Sequence, residues 1–248
     1  MRYYHSWSGG KDSTAAVILD HIHNLPSSTI VFSEVMFDKT RNISGELPEH
    51  IDFIKNKAIP IFIKWGYDVK IAQADKDYIT EFHTIIRKSN IPHRNGQKRA
   101  FPLGGKCSIN RDIKTKAIQD FFKTIDGDYI QYVGIAADEP KRLERLNGTN
   151  KVSLLAKYGY TEQMAYELCQ EYDLLSPIYS FTKRNGCWFC PNQSYAEMAH
   201  LKKYYPYLWR ELEKLSQENN LVTQGFKYNA TFAEVNAKVD KIIKEKEV

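Results

Sequence analysis

The chain is expected to adopt an α/β fold, doubly wound around a mainly parallel sheet and completed by a C-terminal helical subdomain. Three observations point to it. Strand-like and helix-like runs alternate through the first two thirds, a glycine pair stands at the first strand-to-helix junction, and the pattern turns helical from about Lys151 onward. Strands separated by helical segments of this length join by right-handed crossovers, which makes the sheet parallel. The 248 residues divide on this view into a nucleotide-binding-type unit, 1–150, and a helical unit, 151–248. A chain of this length can bury one substantial core and a smaller appendage.

Arg2–Trp7, Thr29–Phe37, Tyr67–Ala72 and Tyr129–Ala136 are strand candidates, each a β-branched or aromatic run bounded by polar turns. Between them, Ser13–His23, Pro48–Lys64, Tyr78–Lys88 and Asn110–Lys123 carry helical patterns. Further on, Tyr160–Tyr172 opens with Thr161-Glu162 and places Met164, Ala165, Leu168 and Cys169 at helical spacing. Pro206–Leu215 is amphipathic, and a last helix is expected over Phe232–Glu245. Composition is ordinary for a globular protein, with 42% hydrophobic and 26% charged residues. No apolar stretch is long enough to span a membrane, and the opening Met1-Arg2-Tyr3-Tyr4-His5 lacks the apolar region of a signal peptide, so a cytoplasmic location is expected. Net charge is +5, which suits a polyanionic partner such as a nucleotide, tRNA or DNA. Part of the excess lies in the tail Lys238–Lys246, whose alternating signs suit a solvated helix face, and part in a basic loop, His93-Arg94 followed by Lys98-Arg99, which could touch a nucleic acid or a nucleotide phosphate as readily as solvent. His21, His23 and His200 fall within helices and suit partly exposed positions better than catalytic ones.

The chemistry concentrates in Trp7-Ser8-Gly9-Gly10-Lys11-Asp12-Ser13-Thr14. A strand turning through two glycines into a helix aims unpaired backbone N–H groups at one point, where the helix dipole also favours negative charge. Ser8 and Ser13 add hydroxyls, Lys11 adds a mobile cation, and glycine leaves room for a phosphate oxygen. The spacing differs from the Walker loop, which needs four residues between its first glycine and its Gly-Lys pair.

The heptad Ser-Gly-Gly-Lys-Asp-Ser-Thr instead resembles the PP-loop of the N-type ATP pyrophosphatase, or adenine nucleotide α-hydrolase-like, superfamily. Further segments resemble its phosphoadenosine-phosphosulfate (PAPS) reductase-like family, of the type found in phages and mobile elements. They are Phe37-Asp38 with Gly45-Glu46-Leu47-Pro48-Glu49-His50, separated by the insertion Lys39–Ser44; Gly134-Ile135-Ala136-Ala137-Asp138-Glu139-Pro140-Lys141-Arg142; and Gly105-Lys106-Cys107-Ser108-Ile109-Asn110-Arg111-Asp112-Ile113-Lys114. Together they cover residues 1 to about 195. The resemblance implies a five-stranded sheet and ATP (or PAPS) with Mg²⁺ as the bound nucleotide. It assigns nucleotide contacts to Ser8, Gly9, Gly10, Lys11, Asp12, Ser13, Thr14, Asp38, Gly134 and Lys141, with Lys11, Asp12 and Arg142 catalytic. Lys141 or Arg142 could reach phosphate from a strand's carboxyl end.

Four cysteines remain. Cys187-Trp188-Phe189-Cys190 is a Cys-x-x-Cys knuckle, and Cys107 and Cys169 bring the total to the four thiolates that a closed site requires. Zinc and a [4Fe–4S] cluster both satisfy that set, with cluster-bearing relatives inclining the choice slightly to iron–sulfur. A buried, unligated Cys169 and a thioredoxin-like Cys187–Cys190 pair are the alternatives.

Three functions compete. Adenylation of an acceptor by ATP, followed by sulfur transfer with a cluster or a sulfur-donor protein as source, needs no protein nucleophile. A sulfonucleotide reductase releasing sulfite needs one, on a mobile tail, yet no cysteine follows Cys190. A non-enzymatic nucleic-acid binder with a structural zinc is the third. The sequence leaves oligomeric state and acceptor unspecified.

Overall fold

The computed structural model describes all residues except 27–28, 104–106, 184 and 246–248. In chain order its elements are β1 (Arg2–Trp7), α1 (Lys11–Ile22), β2 (Thr29–Ser33), β3 (Met36–Asp38), β4 (Ile43–Ser44), α2 (Pro48–Asp52), which runs through a π-helical turn (Phe53–Ala58) into α3 (Ile59–Lys64), and β5 (Asp68–Ala72). Next come α4 (Tyr78–His83), a π-helical turn (Asn110–Thr115) leading into α5 (Lys116–Lys123), β6 (Tyr129–Val133), α6 (Pro140–Leu143), β7 (Lys151–Val152), α7 (Leu154–Tyr158) and α8 (Glu162–Glu171). The chain closes with α9 (Tyr195–Tyr204), α10 (Pro206–Ser216), β8 (Gly225–Lys227), β9 (Ala230–Thr231) and α11 (Phe232–Glu245).

The chain divides into two compact units, neither of them continuous in sequence. One comprises 1–34, 46–74 and 114–185; the other comprises 35–45, 75–113 and 186–248. This differs from a boundary near residue 150, because α7 and α8 pack against α1 in the first unit.

The first unit holds a five-stranded sheet in the order β5-β2-β1-β6-β7, every pair parallel. β7 is too short for its alternation to show in sequence. The Thr29–Phe37 run breaks at Ser33: Glu34 donates its N–H to the Ala72 carbonyl as β2 ends, and Phe37 belongs to the β3–β4 hairpin of the other unit. Helix α1 explains why its sequence is apolar all round. Ala15 through Leu19 are 0–1% exposed, in a cluster with Trp7, Phe32, Phe62, Leu154 and Leu168. Val17, Ile18 and Leu19 each contribute about 1.5–3 kcal/mol on burial. Two polar contacts fix α1 on β1: buried His5 and Asp20 meet at 2.7 Å, and the Trp7 indole donates to Thr14 Oγ1 at 2.9 Å.

The second unit packs α10 and α11 on α9. Trp209 Nε1 and Lys202 Nζ both donate to Asn236 Oδ1, joining α10 and α9 to α11. Ser194 caps α9 in a reciprocal box with Glu197.

Candidate functional site

Strand β1 is central, and the chain leaves it first toward β2 and β5, then returns to its other flank as β6 and β7. The order therefore reverses between β1 and β6. In open α/β sheets that switch point, at the carboxyl ends of the strands, is where ligands bind. Ser8–Thr14 follows β1 and Gly134 follows β6, so both predicted segments border it.

The local geometry demands these glycines, though partly for packing. Gly9 has φ +74°, and a Cβ on it would stand 2.6 Å from Ile54 Cδ1 and 3.0 Å from the His50 ring. On Gly10 a Cβ would meet the Asn185 amide oxygen at 2.7 Å. Gly134 is the tightest position: a Cβ there would lie 2.4 Å from Ser13 N and 2.7 Å from the Asp12 carbonyl carbon. The end of β6 thus touches the first turn of α1 backbone to backbone.

Gly10 is the N-cap of α1, and no side chain caps it. The N–H groups of Asp12 and Ser13, in the first turn, have no partner within the helix. Ser13 Oγ donates to the Gly10 carbonyl at 3.0 Å and meets Ser8 Oγ at 3.1 Å, which fixes the turn from inside. Lys11 N–H donates to the Tyr179 hydroxyl at 2.9 Å, and Asn185 Nδ2 donates to the Ser8 carbonyl at 3.0 Å. Tyr179, Asn185 and His50 thus frame the loop from elsewhere in the chain, and of these only His50 fell in a segment singled out from sequence. Thr14 is fully buried with its hydroxyl on Trp7, so it anchors the helix and does not face a ligand.

Charge around α1 is mixed. Lys11 Nζ reaches Asp12 Oδ1 at 2.7 Å and Glu162 Oε2 at 2.9 Å. Burial alone would lower the Lys11 pKa, but these two acceptors outweigh it and the net direction is upward. Burial raises the Asp12 pKa, against the pull of Lys11, and the charges of Glu162 and Glu139 push it the same way. Arg142 pairs with Glu139, whose second oxygen accepts the Ala136 N–H at 3.1 Å. Arg142 and Lys141 are both exposed. Glu139 and Glu162 were not singled out from sequence as site residues, yet they supply the local negative charge. His50 is buried with Nδ1 2.7 Å from Ser176 Oγ, and burial followed by the Lys114 charge lowers its pKa to about 3.

Asp38 was expected from sequence to contact the nucleotide. It lies in the second unit, where Arg41 donates its backbone N–H to Oδ1 at 3.0 Å and its Nε to Oδ2 at 2.7 Å. Burial would raise its pKa, but the Arg41 contacts prevail and hold it low. The same guanidinium also holds Glu211, at 2.7 Å.

The cysteines also separate by unit. Cys107, Cys187 and Cys190 belong to the second, where burial first and then the charges of these cysteines raise the pKa of Tyr78, whose buried hydroxyl has no hydrogen-bond partner among the described residues. Cys187 and Cys190 form a tight turn, with the Cys190 N–H on the Cys187 carbonyl at 3.0 Å. Cys169 is the fourth thiol of the set expected from sequence. It lies in the first unit, its Sγ donates to the Lys11 carbonyl at 3.2 Å, and burial pushes its thiol up to about 12. Among the described residues, no three His, Cys, Asp or Glu side chains gather closely enough to hold one ion. Gly105 and Lys106 lie outside the described residues.

Among the described residues no helix is long and apolar enough to cross a membrane. No family model matches the chain, and no curated protein is significantly similar to it.

Proposed function

We propose that the chain binds ATP with Mg²⁺ at Ser8–Thr14 and uses it to adenylate an acceptor, the first half of a PP-loop sulfur transfer of the PAPS reductase-like type. The observation that carries this is the coincidence of three features: a Gly9-Gly10 turn ending the central strand, a helix start without a side-chain cap, and Gly134 permitting backbone contact across the switch point. An oxygen of the acceptor forms a bond to the α-phosphorus as the bond to the bridging oxygen breaks, and pyrophosphate leaves with that electron pair. A sulfide-level donor then attacks the activated carbon of the acceptor, and AMP leaves with the electron pair of the C–O bond. The unpaired N–H groups of the first turn and the Lys11 ammonium stabilise charge on the phosphates, while Arg142, released from Glu139, supplies a second cation.

The carboxylates favour ATP·Mg²⁺ over PAPS. Asp12, Glu139 and Glu162 would repel a bare anion, and magnesium commonly combines one or two carboxylates with substrate phosphates. Cys169 speaks against a reductase, since a thiol pushed up to about 12 stays protonated at neutral pH and is a poor nucleophile. If the chain takes up a zinc ion or a [4Fe–4S] cluster, Cys107, Cys187 and Cys190 are the thiols of one unit that would hold it, and their side chains would have to draw together to do so. Such a group would supply a structural clamp if zinc, or a carrier of sulfur or electrons if a cluster.

Calorimetry with ATP, with and without Mg²⁺, and with PAPS tests the proposal, alongside pyrophosphate release. Binding of ATP that needs Mg²⁺ and is abolished in Lys11→Ala supports it. Silence toward ATP, or sulfite release from PAPS, overturns it.

A further inference from the structure

Positive charge is distributed unevenly along this chain. Residues 84–113 contain seven lysines and arginines and a single acidic residue, Asp112, for a net charge of +6. The whole chain carries only +5, so everything outside this segment sums to slightly negative. A basic protein overall is therefore a nearly neutral protein with one basic segment.

That segment is built and held. Arg99 and Ala100 donate their backbone N–H groups to the carbonyls of Thr84 and Phe82, at 3.0 and 3.1 Å. Lys98 exchanges backbone hydrogen bonds with the 220–222 stretch, at 2.8 and 2.9 Å. The Phe101 ring is clamped edge-on between Phe82 and Phe226, at centroid distances of 5.1 and 4.9 Å. Gly225 packs so closely that a Cβ on it would stand 2.7 Å from Leu103 Cδ1. On this floor opens a cavity of about 600 Å³, lined by Arg94, Arg99, Arg111, Phe101, Leu103 and Tyr228 among others. Its volume lies within the roughly 300–1,000 Å³ of ordinary ligand sites.

The three guanidinium groups are not used up by their neighbours. Arg111 forks onto Asp112 through Nε and Nη2 at 2.6 Å, leaving Nη1, and Arg99 uses Nη1 alone on Glu81 and Asp112. Two carboxylates thus face three permanent cations. Beside them Tyr228, on the β8–β9 turn, is 77% exposed, the most exposed large hydrophobic side chain among the described residues. An aromatic face held out to solvent next to arginines is the combination that takes unpaired bases by stacking and their phosphates by charge.

We propose that this cavity binds single-stranded nucleic acid, with phosphates on Arg94, Arg99 and Arg111 and a base stacked on Tyr228. The inference deepens the proposed function by naming the acceptor class, and it depends on that function only for what is done to the bound strand. A duplex keeps its bases stacked on one another and offers Tyr228 nothing.

Fluorescence anisotropy of the full chain with labelled single-stranded RNA and DNA oligonucleotides of about ten residues, and with a duplex, tests this in the absence of ATP. Arg94→Gln/Arg111→Gln should weaken single-strand binding about tenfold or more. It should also flatten the slope of log K against log salt by about 1.4, since each phosphate left without its arginine lowers the slope by about 0.7. Tyr228→Ala should weaken binding about tenfold with the slope unchanged. Lys241→Gln/Lys244→Gln removes two charges from exposed positions on α11 and should change affinity less than about twofold. The proposal is overturned if the wild type binds no single strand, if duplex binds as tightly, or if the α11 pair costs as much as the arginine pair. ATP calorimetry on the same variants reports on the fold and on the Ser8–Thr14 site separately, so an ATP-silent chain whose strand binding still depends on Arg94 and Arg111 refutes the adenylation mechanism and leaves this one standing.

Discussion

Adding one methyl group at Gly134 should disable nucleotide binding without unfolding the chain. A Cβ there would sit 2.4 Å from Ser13 N, 2.6 Å from Ser13 Cα and 2.7 Å from the Asp12 carbonyl carbon, and ordinary contact begins near 3.4 Å. The shortfall is 1 Å, and every obstructing atom is backbone, so no side chain can rotate away. Either the end of β6 or the first turn of α1 must move by about that distance. Overpacking of this kind costs about 1–3 kcal/mol. The same displacement carries the Asp12 and Ser13 N–H groups off the positions that would meet phosphate, and hydrogen bonds weaken steeply with misalignment. Urea unfolding should therefore show Gly134→Ala less stable by about 1–3 kcal/mol with an unchanged m-value, and calorimetry should show ATP affinity reduced at least about tenfold. Gly186→Ala is the control, because a Cβ there meets nothing within 4 Å and should cost less than about 0.5 kcal/mol. If Gly134→Ala binds ATP like the wild type, the N–H groups of the first α1 turn are not the phosphate site.

Acid should destabilise the chain through His50. Its pKa is lowered to about 3 by burial, so below the ordinary value of about 6.5 the unfolded state binds the extra proton and stability falls with pH; between pH 7 and pH 5 the loss is about 2 kcal/mol, absent in His50→Gln by urea titration. Lys11→Met removes the cation that offsets the raised pKa of Asp12, so the variant should lose stability at neutral pH and regain it as the carboxyl protonates on acidification, which the same titrations would read. Metal content, measured after anaerobic purification, should disappear in Cys187→Ser and Cys190→Ser and persist in Cys169→Ser; loss in the last variant would restore the four-thiolate set.

Sequence revealed the sheet where strands and helices were long enough to show a period. Arg2–Trp7 was placed to the residue by its aromatic run bounded by polar turns, and the helix near Phe232–Glu245 was found because Phe232, Val235 and Val239 recur at helical spacing. The two-residue β7 was invisible, since two residues carry no period. Thr29–Phe37 read as one strand because its buried run continues past Ser33, although the backbone leaves the sheet there and pairs with Ile43–Ser44 instead. At the site, the glycines and Lys11 were legible because local backbone geometry depends on adjacent residues. Glu162, Tyr179 and Asn185 were not, because their role depends on closeness in space alone. The Cys169 contact was equally hidden: counting four thiols cannot tell that one of them hydrogen-bonds the Lys11 carbonyl.

The carboxylates around Lys11 constrain the chemistry more than the glycine loop does. A helix start attracts any anion, with a contribution of about 0.3–1 kcal/mol that does not distinguish triphosphate from phosphosulfate. Glu162 lies 2.9 Å from Lys11 Nζ, Asp12 at 2.7 Å, and Glu139 holds Arg142, so in the unliganded chain the cations next to the loop are already matched by acids. A bare anion entering such a site must displace these partners, and each like-charge encounter at about 4 Å costs about 4 kcal/mol at the dielectric of a protein surface. A divalent cation arriving with the ligand reverses that sign, since the same carboxylates then attract the incoming complex. Triphosphate brings Mg²⁺ as a matter of course. For this reason the acids, as much as the loop, favour ATP-dependent activation at the switch point of the sheet.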